Sequence, residues 1–175
     1  MPRYVIDPMH SDIEFKIKHL MISTVKGKFN SYDAWMESES NDFSKAKIEC
    51  IIDTGSIYTS IKDRDDHLRS SDFFNVEKYP KMIFKSTSVV AKEDGEYSIF
   101  GNLTIKGTTK PVVLTGTFNG SDVDNYGQTK YGFDLEGKIK RSDWQLDFNV
   151  AGGKNTLLIG DEVKLDIGIQ MIQED

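Results

Sequence analysis

Apolar residues recur at every second position along most of this chain, a period that fits β-strands with one buried and one wet face. Ile13, Phe15 and Ile17 alternate with Glu14, Lys16 and Lys18, and Tyr97, Ile99, Gly101, Leu103 and Ile105 alternate with mostly polar neighbours. Phe133, Leu135, Gly137 and Ile139 repeat the pattern, as do Val163, Leu165, Ile167, Ile169 and Met171 against Lys164, Asp166, Gly168 and Gln170. With Lys47–Asp53, Met82–Val89 and Val112–Phe118 the sequence predicts at least seven strands. Turns such as Glu93-Asp94-Gly95-Glu96 and Lys106-Gly107-Thr108-Thr109-Lys110 join several of them. So many strands with a single apolar face must close on themselves or stack. The expectation is an all-β, antiparallel, eight-stranded barrel whose interior fills with side chains or holds one small ligand.

One segment, Ser56 to Pro80, departs from the alternation. Ser60-Ile61-Lys62-Asp63 has the form of a capping box, which predicts a helix start with Ile61 and Leu68 on one face. Ser70-Ser71-Asp72 predicts a second short helix carrying Phe73 and Phe74, ending before Tyr79-Pro80 because a residue preceding proline avoids helical torsions. A short helical excursion near residues 60–76 is therefore expected across one mouth of the barrel. The chain has 175 residues and shows no repeat, linker or low-complexity tract, so residues 1–175 are expected to form one domain.

Charge and motif content narrow the function. Lys and Arg number 22 against 28 Asp and Glu, a formal charge of -6 that argues against a broad hold on nucleic acid. Cys50 is the only cysteine; it excludes an intrachain disulfide and, within Ile48-Glu49-Cys50-Ile51-Ile52, is expected as a small core residue. Neither an apolar leader nor a run of about 18 apolar residues is present, so a soluble, cytoplasmic protein without stable membrane insertion is expected. A periplasmic or secreted protein whose leader had been removed would read the same. The nucleophile elbow G-x-S-x-G is absent, His10, His19 and His67 are widely separated, and Gly152-Gly153 lacks the context of a phosphate loop. No catalytic residue, metal or cofactor is expected. The charged run Lys62-Asp63-Arg64-Asp65-Asp66-His67-Leu68-Arg69 reads as a solvated helix face, or as one that sets Arg64 or Arg69 at the mouth to fork onto a phosphate.

A family resemblance runs through these features. Asp7-Pro8-Met9-His10-Ser11, Lys18-His19-Leu20, Val25-Lys26-Gly27-Lys28-Phe29, Ser56-Ile57, Arg64-Asp65-Asp66-His67-Leu68, Asp72-Phe73-Phe74 and Tyr79-Pro80 occur in the order found in the YceI-like family. Gly101-Asn102-Leu103-Thr104-Ile105-Lys106-Gly107, Lys110-Pro111-Val112, Gly132-Phe133 and Arg141-Ser142-Asp143 continue the similarity. The chain departs from the family at Tyr4, where a Trp is common, at Tyr58-Thr59-Ser60-Ile61, where Asp-Thr-Gly-Asn is usual, and near Gln145, where a Gly is common.

The resemblance implies an extended lipocalin-like barrel that binds a long polyisoprenoid, such as an isoprenoid quinone or prenyl phosphate, without changing it. On that basis the pocket wall is expected to comprise Phe15, Ile17, Phe74, Ile99, Leu103, Ile105, Phe133, Leu135, Leu165, Ile167 and Ile169, with Arg64, His67 or His19 at most orienting a head group. Two alternatives stay open: a hydrolase or isomerase of a small amphiphile using His10, His67 and carboxylates, and a packed-core structural or interaction barrel. An edge-strand or isologous sheet contact would make a homodimer, which the sequence does not decide.

Overall fold

The computed structural model describes residues 1–39, 42–148 and 159–174. Eight strands close an antiparallel ring in the order β1 (Arg3–Ile6), β4 (Tyr32–Glu39), β5 (Asp42–Asp53), β7 (Lys81–Ala91), β8 (Glu96–Ile105), β9 (Thr108–Val123), β10 (Thr129–Lys140) and β11 (Ile159–Gln173), with β11 returning to β1. Three further strands, β2 (Asp12–His19), β3 (Ser23–Phe29) and β6 (Ile57–Tyr58), extend the sheet beside β11. Their placement follows from interruptions in long strands. β11 pairs with β1 through Met171–Gln173 and with β2 through Val163–Gly168, so β1 and β2 act as two halves of one strand broken at residues 7–11. β3 and β4 are related in the same way, as are β5 and β6.

The first interruption is built by the Asp-Pro-x-His-Ser motif. Asp7 caps a 3-10 turn over Pro8–His10 by accepting from the Met9 amide, and the Ser11 hydroxyl donates to the Asp7 carbonyl at 2.7 Å. The Ser11 hydroxyl also accepts the Gln170 amide at 3.1 Å, while Tyr32 donates to the Ser11 carbonyl at 2.7 Å. Buried backbone groups left free by the kink thus find partners on β11 and β4.

Register places the 92–95 and 124–128 turns and both chain ends at one end of the barrel. The 20–22 and 106–107 turns, the 54–80 excursion and the 141–144 turn lie at the other. The excursion crosses that end. The Tyr79 ring lies beside Gly107, Phe73 meets Phe148 edge-on at 5.2 Å, and Phe74 meets Phe29 at 6.0 Å.

The excursion is less helical than its sequence suggests. One helix forms, α1 (Lys62–Arg69), and Ser70 to Lys78 is a series of hydrogen-bonded turns in place of a second helix. Ser60 does not cap α1: it has φ +73°, and Ile61 occupies the cap position without a side-chain bond. The helix start is instead tied back by Asp65, whose carboxylate accepts both the amide and the hydroxyl of Thr59. Ile61 is exposed whereas Leu68 packs against the core, so the two do not share a buried face. The seven strands read from the alternation are all present, among eleven in the described residues. β1, β3 and β4 carry few alternating positions each, and β5, β7, β9 and β11 run beyond the stretches that alternate. Gly152 and Gly153 lie outside the described residues.

Candidate functional site

Inward-facing residues fall into two groups that alternation alone treats as equivalent. Towards the end with the chain termini the interior is filled. Tyr4, Ala34, Met36, Phe43, Val89, Ile99 and Met171 are buried there. Phe43 contacts Tyr97, Phe118 and Phe133 edge-on at 5.0–6.0 Å between ring centroids, a geometry favoured by the ring quadrupoles. A residual cavity of about 60 Å³ remains among Met36, Phe43, Ile48, Ile99, Leu135 and Ile169.

The wall made by β10, β11 and β2 differs. Phe133 opposes Ile169, Leu135 opposes Ile167, Leu165 opposes Phe15, and Val163 opposes Ile17. All eight are half-buried, forming a continuous apolar stripe across three strands. Phe15 lies over Gly27 of β3, where a Cβ would overlap its ring, and leans on Phe29 at 5.7 Å. Phe74 from the excursion covers Phe29. An apolar surface left partly open inside a closed sheet can take up an apolar chain by exclusion of water.

The pocket residues expected from sequence are therefore divided. Phe15, Ile17, Phe133, Leu135, Leu165, Ile167 and Ile169 share this wall. Ile99, Leu103 and Ile105 are buried on β8: Ile99 meets this wall at the small cavity it lines with Phe133, Leu135 and Ile169, whereas Leu103 and Ile105 do not line it, and the Leu103 carbonyl accepts the indole N–H of Trp144 at 2.9 Å. The polar candidates are also dispersed. His19 ends β2 and is exposed, whereas Arg64 directs its Nε to the Thr59 hydroxyl at 2.7 Å and a second nitrogen to the Thr59 carbonyl. Arg64 thus holds the helix start. Arg69 is similarly committed to the Gly55 and Ile57 carbonyls. His67 donates from Nε2 to the Asp72 carboxylate at 2.8 Å and meets Phe73 and Phe148 edge-on, so it alone of the three offers a polar group beside the aromatic side chains at this mouth. With Nε2–H committed to the carboxylate, a neutral imidazole leaves Nδ1 as an acceptor for a head-group hydroxyl. His10 instead joins Asp7 at 2.8 Å in the β1–β2 kink.

Two polar anchors have partners that no local motif announces: backbone carbonyls across the β10–β11 connection for Arg141, and the side chain of Lys130 for Asp7. The Arg141 guanidinium is buried and donates to the carbonyls of Leu146, Phe148, Ile159 and Gly160, clamping the described ends of the β10–β11 connection. Burial lowers its pKa from the ordinary arginine value, opposed by the charges of Asp161 and Asp147. Asp7 is held below the usual carboxylate range first by the Lys130 ammonium, then by His10 and the Met9 amide, against the opposing effect of burial. Cys50 behaves as expected of a core position: burial, with a smaller contribution from Asp33, pushes its thiol up to about 12, which suppresses the reactive thiolate.

A groove of about 700 Å³ lies outside the barrel against Phe100, Asn102, Val113, Lys138 and Lys140, and it is open to solvent.

Comparison with known proteins gives a consistent picture. The model of the YceI-like domain matches residues 4–171. A UPF0312 protein of Staphylococcus epidermidis is 41% identical over 167 residues, covering 95% of both chains. The Campylobacter jejuni YCEI protein superposes with a TM-score of 0.77 at 34% identity, covering 91% of each chain. A polyisoprenoid binding domain from Saccharophagus degradans, implicated in plant cell wall breakdown, shares the fold with a TM-score of 0.70 at 14% identity over 98% of each chain.

Proposed function

This chain belongs to the YceI-like domain family, and we propose that its barrel binds and carries or sequesters a long-chain polyisoprenoid or similar amphiphile, without catalysis. The observation that carries this reading is the half-open apolar stripe on β10, β11 and β2. The polyisoprenoid binding domain that shares the fold supports the ligand class. A prenyl tail gains about 0.8 kcal/mol per buried methylene, so a few isoprene units along the stripe suffice for tight binding.

Pocket geometry limits the tail. The Phe43 cluster and the 60 Å³ cavity leave little room beyond Leu135, so affinity rises with tail length until the stripe is covered and then levels off unless those rings part. His67, held by Asp72 and set against Phe73 and Phe148, is the group placed to meet a head group.

The test is native mass spectrometry of freshly purified protein, followed by organic extraction and mass analysis of the released molecule. A stoichiometric adduct that extracts as a prenyl lipid and is lost in Ile167→Asp supports the reading. An unliganded mass together with failure to take up an added prenyl alcohol overturns it.

A further inference from the structure

The β2–β3 hairpin ends in three consecutive exposed aliphatic residues, Leu20, Met21 and Ile22, at 42%, 67% and 83% exposure. Water-facing aliphatic runs are disfavoured, and here the backbone is unfavourable too. Leu20 and Met21 have φ +53° and +58°, the two central positions of a tight hairpin turn that Asn-Gly ordinarily occupies. Both the side chains and the torsions at this tip run against solubility and local preference, the kind of outlier that points towards function.

The flanks of the tip are basic. Lys16 on β2 faces Lys26 on β3 directly, Lys18 faces Thr24, and Lys28 follows on the same outer face. The row continues across the sheet from Lys16 to Lys164 and from Lys164 to Lys138. Like charges opposed across strands repel, and this four-lysine row is offset only in part, Lys16 by Asp166 and Lys138 by Glu162, each at 3.9 Å. The carboxylates of β2 and β11 that oppose one another, Glu14 and Asp166, sit farther from the tip than Lys16, Lys18 and Lys26, level with Lys28. Nearer to it, Asp161 accepts from Ser142 and Glu162 lies 3.9 Å from Lys138. The hairpin thus presents a positive, apolar-tipped edge on a chain whose formal charge is -6, at the end of the barrel where Ile17 and Phe15 remain half-open.

We propose that this hairpin docks the protein onto the surface of an anionic lipid bilayer. Leu20, Met21 and Ile22 enter the interface, and Lys16, Lys18 and Lys26 face the lipid phosphates. An apolar tip and a basic flank are complementary to such a surface in both hydrophobicity and charge. Docking of this kind goes beyond ligand binding and does not depend on an occupied barrel.

Flotation with vesicles tests it. The full chain is mixed with vesicles of phosphatidylcholine alone or of phosphatidylcholine and phosphatidylglycerol in equal parts. The protein is expected to float with the mixed vesicles, to remain behind with phosphatidylcholine alone, and to lose binding as salt screens the lysines. Lys26→Gln is expected to weaken partitioning about fivefold, the effect of one lysine near an anionic surface. Ile22→Asp is expected to weaken it about tenfold or more through loss of apolar insertion. Met21→Ser serves as a milder second variant, and unchanged thermal unfolding of each shows that the fold persists. Tyr126→Asp, at a 91% exposed site on the opposite end, is expected to float like the parent chain. Failure to float with mixed vesicles, flotation unaffected by Ile22→Asp and Met21→Ser, or equal loss in Tyr126→Asp overturns the proposal. So does self-association in light scattering that Ile22→Asp abolishes while vesicles capture nothing, because the tip then serves a protein contact. The barrel ligand is read separately by mass spectrometry, so failure of docking leaves the carrier reading intact and the converse also holds.

Discussion

Gly27→Ala probes the interior wall through a single methyl group. Gly27 faces Phe15 across the β2–β3 pair, and an added Cβ would overlap the Phe15 ring. Either the ring leaves its position or the strands separate. Overpacking of this kind costs about 1–3 kcal/mol. Phe15 is half-buried, with open interior on one side and Phe29 at 5.7 Å on the other, so the ring has somewhere to go. The expected loss is therefore in the lower part of that range, about 1–2 kcal/mol. For a chain of this size each kcal/mol shifts the thermal midpoint by about 2–4 °C, which places the drop at roughly 2–8 °C in calorimetry.

The decisive comparison is a double-mutant cycle with Phe15→Ala. Without the ring, the methyl group has no opponent, and alanine restricts the unfolded chain more than glycine does. Gly27→Ala is then expected to be neutral or stabilising by up to about 1 kcal/mol. An equal loss of stability in both backgrounds would refute the claim that the ring occupies the space above Gly27.

Arg141→Lys is expected to destabilise by about 3 kcal/mol, read from urea midpoints, because an ammonium cannot satisfy the four carbonyls that the buried guanidinium reaches. Asp7 has a depressed pKa, so its stabilising contribution is complete above the ordinary aspartate pKa of about 4 and is lost as pH falls through the lower folded-state value. The stability gap between the parent chain and Asp7→Asn should accordingly be widest near neutral pH and narrow in acid; a gap independent of pH would count against the Lys130 pairing. Ser60 and Gln145 have φ +73° and +62° at the two places where the family tends to carry glycine. Ser60→Gly and Gln145→Gly are each expected to raise stability by about 0.5–1 kcal/mol, as relief of left-handed strain outweighs the added entropy of the unfolded chain.

The period-two pattern of Phe15, Leu135 and Ile167 was enough to set the strand class and the inward face, because alternation is imposed by local backbone geometry. It also sufficed for the closure into a barrel, since that many one-faced strands have few other ways to bury their apolar sides. Local chemistry was less decisive in the excursion. Ser60 and Asp63 satisfy a capping pattern, yet Thr59, Asp65 and Arg64 form the bonds that hold the helix start, because contacts among neighbouring elements outweigh a weak local preference.

The distinction between packed and open interior belongs to the tertiary structure alone. Leu103 and Ile105 alternate as clearly as Leu135, Ile167 and Ile169 do, but Trp144 reaches back to the Leu103 carbonyl and this part of β8 is buried, whereas β10, β11 and β2 keep a half-open stripe. Alternation assigns a side chain to a face. How far the opposite wall stands, and what fills the gap, depends on residues tens of positions away whose approach is set only when the sheet closes.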